Sequence, residues 1–251
     1  MTRPDAFCVY RNFPPERDTP LAFDRHYLLY AAKGSMRLQA GGRVWSLPPA
    51  RAAWIAAGTP LRITIADDML CCSALFAPAA FGAPAEPLTV FEMTPLAREL
   101  ILECRAWGPD SGPLPPDALL MFQTLAMLAD RLASTPSPAW IASGTSDAVR
   151  RATDATESTP AEAADFDAIA RAARMSPRTL ARRFADELGM SWAQARRRLR
   201  MIRASETLAT TALPVTEVAL SVGYASSAAF NAAFRDFAGT TPTAFRASAR
   251  P

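Results

Sequence analysis

The C-terminal third of this 251-residue chain repeats itself, and that repeat constrains the fold more than any other feature of the sequence. IARAARMSPRTLARRFADELGMSWAQAR, starting at Ile169, aligns with VALSVGYASSAAFNAAFRDFAGTTPTAFR, starting at Val218. Ala170 matches Ala219 at an offset of 49. Leu180 with Phe230, Phe184 with Phe234 and Gly189 with Gly239 match at 50, so the second copy has one extra residue in its turn.

Each copy reads as helix, tight turn, helix. In the first, Ile169, Ala170 and Ala173 form the apolar side of a short helix, and Arg174 to Ser176 make the turn. Ser176 then caps a second helix with Pro177 at its first position. Leu180, Phe184 and Leu188 face inward at i, i+4, i+8, and Gly189 ends the helix. In the second copy Gly223 supplies the turn, Ser226 or Ser227 the cap, Phe230 and Phe234 the inner face, and Gly239 the stop.

This unit places its second helix in the DNA major groove, although two-helix hairpins also occur in ordinary bundles. The outward faces favour DNA. At about 100° per residue, Arg178 and Arg182 lie opposite the inner face, with Thr179 and Arg183 on the flanks. A helix built for solvation alone usually mixes charge signs. Arg178 and Arg182 are expected to read guanine edges, and Arg183 to meet phosphate. The second copy presents Ala228, Ala229, Ala232 and Ala233, leaving Asn231 and Arg235 for strong polar contacts; it either enters the groove as a weak reader or mainly holds phosphate through its serines and N-terminal amides.

Between the copies, SWAQARRRLRMIRASETLAT has no Gly or Pro and predicts one helix of about 18 residues, roughly 27 Å long. That length suits two reading heads about one DNA turn apart, roughly 34 Å. Arg196, Arg197, Arg198, Arg200 and Arg203 cannot share one face, so some meet phosphate and others pair with acids such as Glu206. Charge agrees with this reading. Residues 1 to 160 carry 14 basic against 16 acidic side chains, and residues 161 to 251 carry 13 against 8, every basic one an arginine.

The N-terminal part alternates like strands. HYLLYAA, SMRLQA, RVWSL, AAWIAA and LRITIA, separated by Gly, Pro and Asp turns, predict a small β-barrel or sandwich. Two helices follow. TPLARELILECRAW has Thr94 as its cap, and PDALLMFQTLAMLADRLAS places Leu120, Leu125, Leu128 and Leu132 near one stripe, with Met121 and Met127 close by. That stripe serves either the core or a dimer interface. The Ser-, Thr-, Pro- and Ala-rich stretch after it predicts a linker holding at most a short helix.

No apolar run reaches the length of a membrane span, and the opening MTRPDAFCVYRNFPPERD lacks a signal-peptide core, so a soluble cytoplasmic protein is expected. With one histidine, His26, enzymes that depend on paired histidines are excluded. Cys8, Cys71, Cys72 and Cys104 show no metal spacing and read as small buried hydrophobes, with a redox or soft-metal sensor as the alternative.

The stretch VTEVALSVGYASSAAFNAAFRDFAGTTPTAFR, with Gly223-Tyr224, Ser226, Phe230, Phe234, Gly239, Thr241, Pro242 and Arg246, resembles the signature of the AraC/XylS family of bacterial transcription regulators. The family often carries a basic or large polar residue where Ala232 stands. SLPPARAAWIAAGTPLRI resembles the cupin-type sensor domain of many members. Cupin metal sites use several histidines and a carboxylate; here Leu61 stands where related sequences often have histidine and His26 alone cannot supply the ligands, so no metal and no cofactor is expected.

The expected fold is α+β: residues 1–84 a cupin-like effector domain, 85–135 a helical linker with dimerisation helices, 136–160 a flexible linker, and 161–251 an all-α double helix-turn-helix domain. The expected DNA contacts are Ser176, Arg178, Thr179, Arg182, Arg183, Arg196, Ser226, Ser227, Asn231 and Arg235; His26, Tyr30, Trp45 and Trp54 are candidates for the effector, with a structural place in the barrel core as the alternative. The expected partners are double-stranded DNA, a small-molecule effector, a second copy, and RNA polymerase if the protein activates. A cupin-type metal enzyme and a non-specific DNA-binding protein are the alternatives.

Overall fold

The computed structural model describes residues 3–49, 51–158 and 165–249. Ten strands and nine helices are assigned among them: β1 (Ala6–Phe13), β2 (Glu16–Leu21), β3 (His26–Lys33), β4 (Met36–Ala40), β5 (Arg43–Leu47), β6 (Arg51–Ile55), β7 (Leu61–Ile65), β8 (Met69–Phe76), β9 (Leu88–Glu92), α1 (Pro95–Glu103), α2 (Pro116–Ala133), β10 (Trp140–Ala142), α3 (Asp147–Ser158), α4 (Phe166–Ala172), α5 (Pro177–Leu188), α6 (Trp192–Thr210), α7 (Val215–Ser221), α8 (Ser227–Ala238) and α9 (Pro242–Ala249). They fall into two compact units. The first comprises residues up to 40, 47–137 and 247 onward; the second comprises 41–46 and 138–246.

In the first unit an antiparallel sheet runs β1-β8-β3-β6-β9, and β7 pairs with both β2 and β4. This is a double-sheet architecture of antiparallel strands. Strand alternation sorts the larger sheet into two faces. Leu28, Tyr30, Ala52, Trp54, Cys72, Ala74 and Phe76 share one core cluster with Ala97 and Ile101 of α1 and Phe122, Leu125, Ala126 and Ala129 of α2. An apolar helical stripe must bury itself against something, and here it covers the sheet. Consequently the segment read as a separate helical linker, 85–135, supplies both the ninth strand and the helical cover of the same unit.

Leu120 departs from the expected stripe. It lies 500° along the helix from Leu125, hence about 140° away around the axis, and it is 63% exposed beside Met127 at 73%. All four cysteines are buried free thiols, with Cys8 Sγ 3.6 Å from Cys72 Sγ. The surroundings of Cys8, Cys71 and Cys104 push those three thiols upward. A hydrogen bond from Cys72 dominates for Cys8, and burial dominates for Cys71, to about 11, and for Cys104, to about 12.

The second unit also differs from the expected boundaries. The stretch 136–160, read as a flexible linker, carries β10 and the 12-residue helix α3. Val149 and Ala152 of α3 are buried with Ile169, Ala170, Leu180, Phe184 and Leu188. Ser146 explains why a Ser/Thr-rich segment folds here: its hydroxyl accepts the Val149 N–H at 3.3 Å, capping the helix. Strand β10 pairs with β5, Trp140 lying opposite Trp45.

Candidate nucleic-acid interface

The first helix-turn-helix comprises α4 and α5. Asp165 caps α4, its side chain accepting the Asp167 N–H, and Ser176 caps α5, accepting the Thr179 N–H at 3.2 Å. Pro177 fills the first turn, where its missing N–H costs nothing. Leu180, Phe184 and Leu188 are buried, each contributing roughly 1.5–3 kcal/mol of burial. Gly189 closes the helix at φ 68°, in the left-handed region.

With that face fixed, Arg178 and Arg182 are exposed, as the periodicity predicts. Arg183 is half-buried and reaches Glu187 at 3.3 Å, so its guanidinium is already shared with a carboxylate. Glu187 in turn accepts the Ser146 N–H at 2.8 Å and the Ser146 hydroxyl at 2.7 Å. Burial raises the Glu187 carboxyl, but these bonds, with Thr145 and Arg183, outweigh it and hold the group at about 2. The α3–α5 clamp was hidden in the sequence, because Ser146 and Glu187 lie far apart in a chain with no pattern linking them.

The second unit is α7 and α8. Ser226, not Ser227, is the cap, accepting the Ala229 N–H at 3.2 Å; Ser227 is the exposed first residue of α8. Phe230 and Phe234 are fully buried and continue a ring stack from Tyr224 to Phe245, with centroids 5.5–5.7 Å apart. The outer face shows Ala228, Ala229 and Ala232 with Arg235, while Asn231 is half-buried and Ala233 is buried.

Helix α6 joins the two helix-turn-helix copies and is about half buried: nine of its 19 residues are buried, among them Leu199, Ile202, Ser205 and Leu208. Its arginines divide as expected between tasks. Arg203 pairs with Glu206 at 3.3 Å and Arg197 with Asp236 at 3.2 Å. Arg198 donates to the carbonyls of Trp140 at 2.5 Å and Pro138 at 2.7 Å and lies over the Trp140 ring, which Arg43 also covers. Burial, with the charge of Arg43, lowers the Arg198 pKa. Arg196, expected at phosphate, stacks 5.4 Å from the Trp192 ring centroid, and that indole donates to Thr156 of α3 at 2.9 Å. Glu206 is buried and accepts the Ser46 hydroxyl at 2.5 Å.

Of the four effector candidates, His26, Tyr30 and Trp54 lie in the first unit. Tyr30 and Trp54 sit in the core beneath α1 and α2, and the Trp54 indole donates to Asp130 of α2 at 2.7 Å. The Tyr30 hydroxyl is pushed up to about 12, mainly by burial. His26, its ring 6.3 Å from that of Trp54, is buried, and its Nδ1 accepts the Ala57 N–H at 3.1 Å. Burial lowers its pKa, partly offset by Asp130. Trp45 belongs to the other unit. Among the described residues no three His, Cys, Asp or Glu side chains cluster as metal ligands would.

Two helix-turn-helix units joined through one buried helix, the first presenting exposed arginines, define a DNA-binding transcription regulator. Residues 169–248 match the helix-turn-helix domain family. The chain is similar to the HTH-type transcriptional regulator NimR of Escherichia coli (strain K12), 27% identical over 239 residues, covering 94% of this chain and 85% of NimR. It is also similar to the C-terminal domain of AraT, a response regulator from Geobacillus stearothermophilus: 32% identity, covering 41% of this chain and 85% of that one, TM-score 0.38. A transcriptional regulator from Chromobacterium violaceum with an AraC-type DNA-binding domain is 27% identical, the match covering 41% of this chain and 91% of that one, with a TM-score of 0.40. Residues 169–248 thus carry a helix-turn-helix domain of the kind found in AraC-type regulators.

Proposed function

We propose that this regulator reads sequence through its first helix-turn-helix and anchors mainly through its second. The carrying observation is the pair Arg178 and Arg182, exposed on a capped, buried-backed helix, against Ala228 and Ala232 at the equivalent places of α8. Arginine can grip guanine O6 and N7 with two bonds, whereas alanine offers only contact to a thymine methyl. Thr179, Ser176, Ser226, Ser227, Asn231 and Arg235 lie at or near the N-terminal and outer sides of the two helices and complete the interface, chiefly at phosphate. Arg183 and Arg196 contribute less, each being engaged inside the protein.

The remaining parts of the reading concern control. The protein works as a cytoplasmic homodimer, with the exposed Leu120 and Met127 of α2 on its dimer surface. A small-molecule effector in the double-sheet unit shifts the population of dimer arrangements. Tyr30 and Trp54 face the helices, so such a ligand meets the opposite sheet face, which carries Tyr27, Leu29, Ala53, Ile55, Ser73 and Leu75. RNA polymerase is a partner if the protein activates. No cofactor or catalysis enters this reading.

Selection of binding sites from a random duplex pool at near-physiological salt tests it. The purified protein should enrich one strong block, and Arg182→Ala should lose that block. Enrichment unchanged in Arg182→Ala would overturn the assignment of α5 as reader.

A further inference from the structure

The two turns close in the same way. The N–H of Gly223 returns to the Leu220 carbonyl and that of Tyr224 to the Ala219 carbonyl, both at 2.9 Å. In the first copy the N–H of Arg174 returns to the Arg171 carbonyl and that of Met175 to the Ala170 carbonyl, again at 2.9 Å. Gly223 has φ 79° and Arg174 has φ 58°. A position that demands left-handed backbone is therefore filled by glycine in one copy and by arginine in the other. An L side chain is disfavoured there because its Cβ crowds the following carbonyl.

Within the compact unit of residues 41–46 and 138–246 the other described left-handed residues are all glycines, Gly189 and Gly239 among them. Packing does not reward the exception, since Arg174 is exposed. Among the described residues no carboxylate pairs with it. The exposed Arg171, at the last turn of α4, and Arg178, in the first turn of α5, flank it in sequence. Strain held at an exposed cationic side chain beside α5, with no packing to compensate it, is where a functional role for that side chain is to be sought.

We propose that Arg174 is a phosphate contact of the first helix-turn-helix, kept in a left-handed turn at the expense of fold stability. This rests on the reading of α5 as the helix in the groove. A phosphate contact carries no base information, so its loss weakens all duplexes alike and releases one fewer counterion.

Anisotropy titrations between 50 and 200 mM salt, on the selected duplex and on a scrambled one, test the proposal with Arg174→Gly, Arg174→Lys and Arg182→Ala in the full chain. Arg174→Gly should melt about 1–3 °C higher than the parent. It should bind both duplexes roughly eightfold more weakly at 0.1 M salt and flatten the logarithmic salt slope by about 0.9. Arg174→Lys should keep the slope. Parental affinity and slope in Arg174→Gly would overturn the proposal, and so would weakening confined to the selected duplex, which would make Arg174 a base reader. If Arg182→Ala binds like the parent while Arg174→Gly shows the uniform loss, the assignment of α5 falls and the phosphate contact stands.

Discussion

The two helix-turn-helix copies share their skeleton and almost nothing of their outer surface. Leu180 and Phe184 become Phe230 and Phe234, Ser176 becomes Ser226, and Gly189 becomes Gly239, each keeping its task. Outside, Arg178 becomes Ala228, Arg182 becomes Ala232, and Glu187 becomes Phe237. The inner positions obey packing, which is indifferent to what the outside reads. The outer ones answer to a partner. One scaffold can therefore carry two chemically different outer faces side by side.

The comparison predicts equal damage inside and unequal damage outside. Phe184→Ala and Phe234→Ala should each cost about 3–5 kcal/mol in denaturant unfolding; a loss in only one copy would show that the cores are not equivalent. Arg182→Ala should lose about 1–3 kcal/mol of discrimination against a mismatched base in competition binding. Asn231→Ala should lose clearly less, and equal losses would make α8 a full reader. Ser176→Ala and Ser226→Ala should each lower stability by about 1 kcal/mol, because each removes the acceptor for one N–H of its helix.

The finest distinction is acid sensitivity. Glu187 is held at about 2 in the folded protein, below an unfolded value near 4.3. A depressed carboxyl stabilises fully above its unfolded pKa and loses that contribution as pH falls through the folded one. Stability of the first copy should thus decline between about pH 4.5 and pH 2, and Glu187→Gln should flatten that part of the curve. Phe237, at the same place in the second copy, gives α8 no matching response.

Much of this was legible in the chain because both copies obey local rules. Ser176 before Pro177, the i, i+4, i+8 spacing of Leu180, Phe184 and Leu188, and the stopping glycines each act within a few residues, so reading them requires no knowledge of the fold. What stayed hidden was tertiary. Ser146 bonding Glu187, Arg196 stacking on Trp192 and Arg198 reaching the Trp140 carbonyl all depend on which surfaces meet. Tyr30 and Trp54 show the same limit, since alternation separates two sheet faces without saying which one the helices will cover. Arg174 was visible as a turn residue, but its conformation follows from the backbone bonds that close the turn.

Helix α6, 19 residues long and buried along much of its length, sets an angle as well as a distance. Each residue inserted into it would advance the second helix-turn-helix by about 1.5 Å and swing it by about 100° around the axis. One insertion would turn α8 away from the side that α5 presents. Two whole turns, about seven residues, would restore its bearing roughly 10.5 Å further along. Operator spacing in such a protein changes in steps, by whole turns of protein helix, and point substitutions alone cannot tune it.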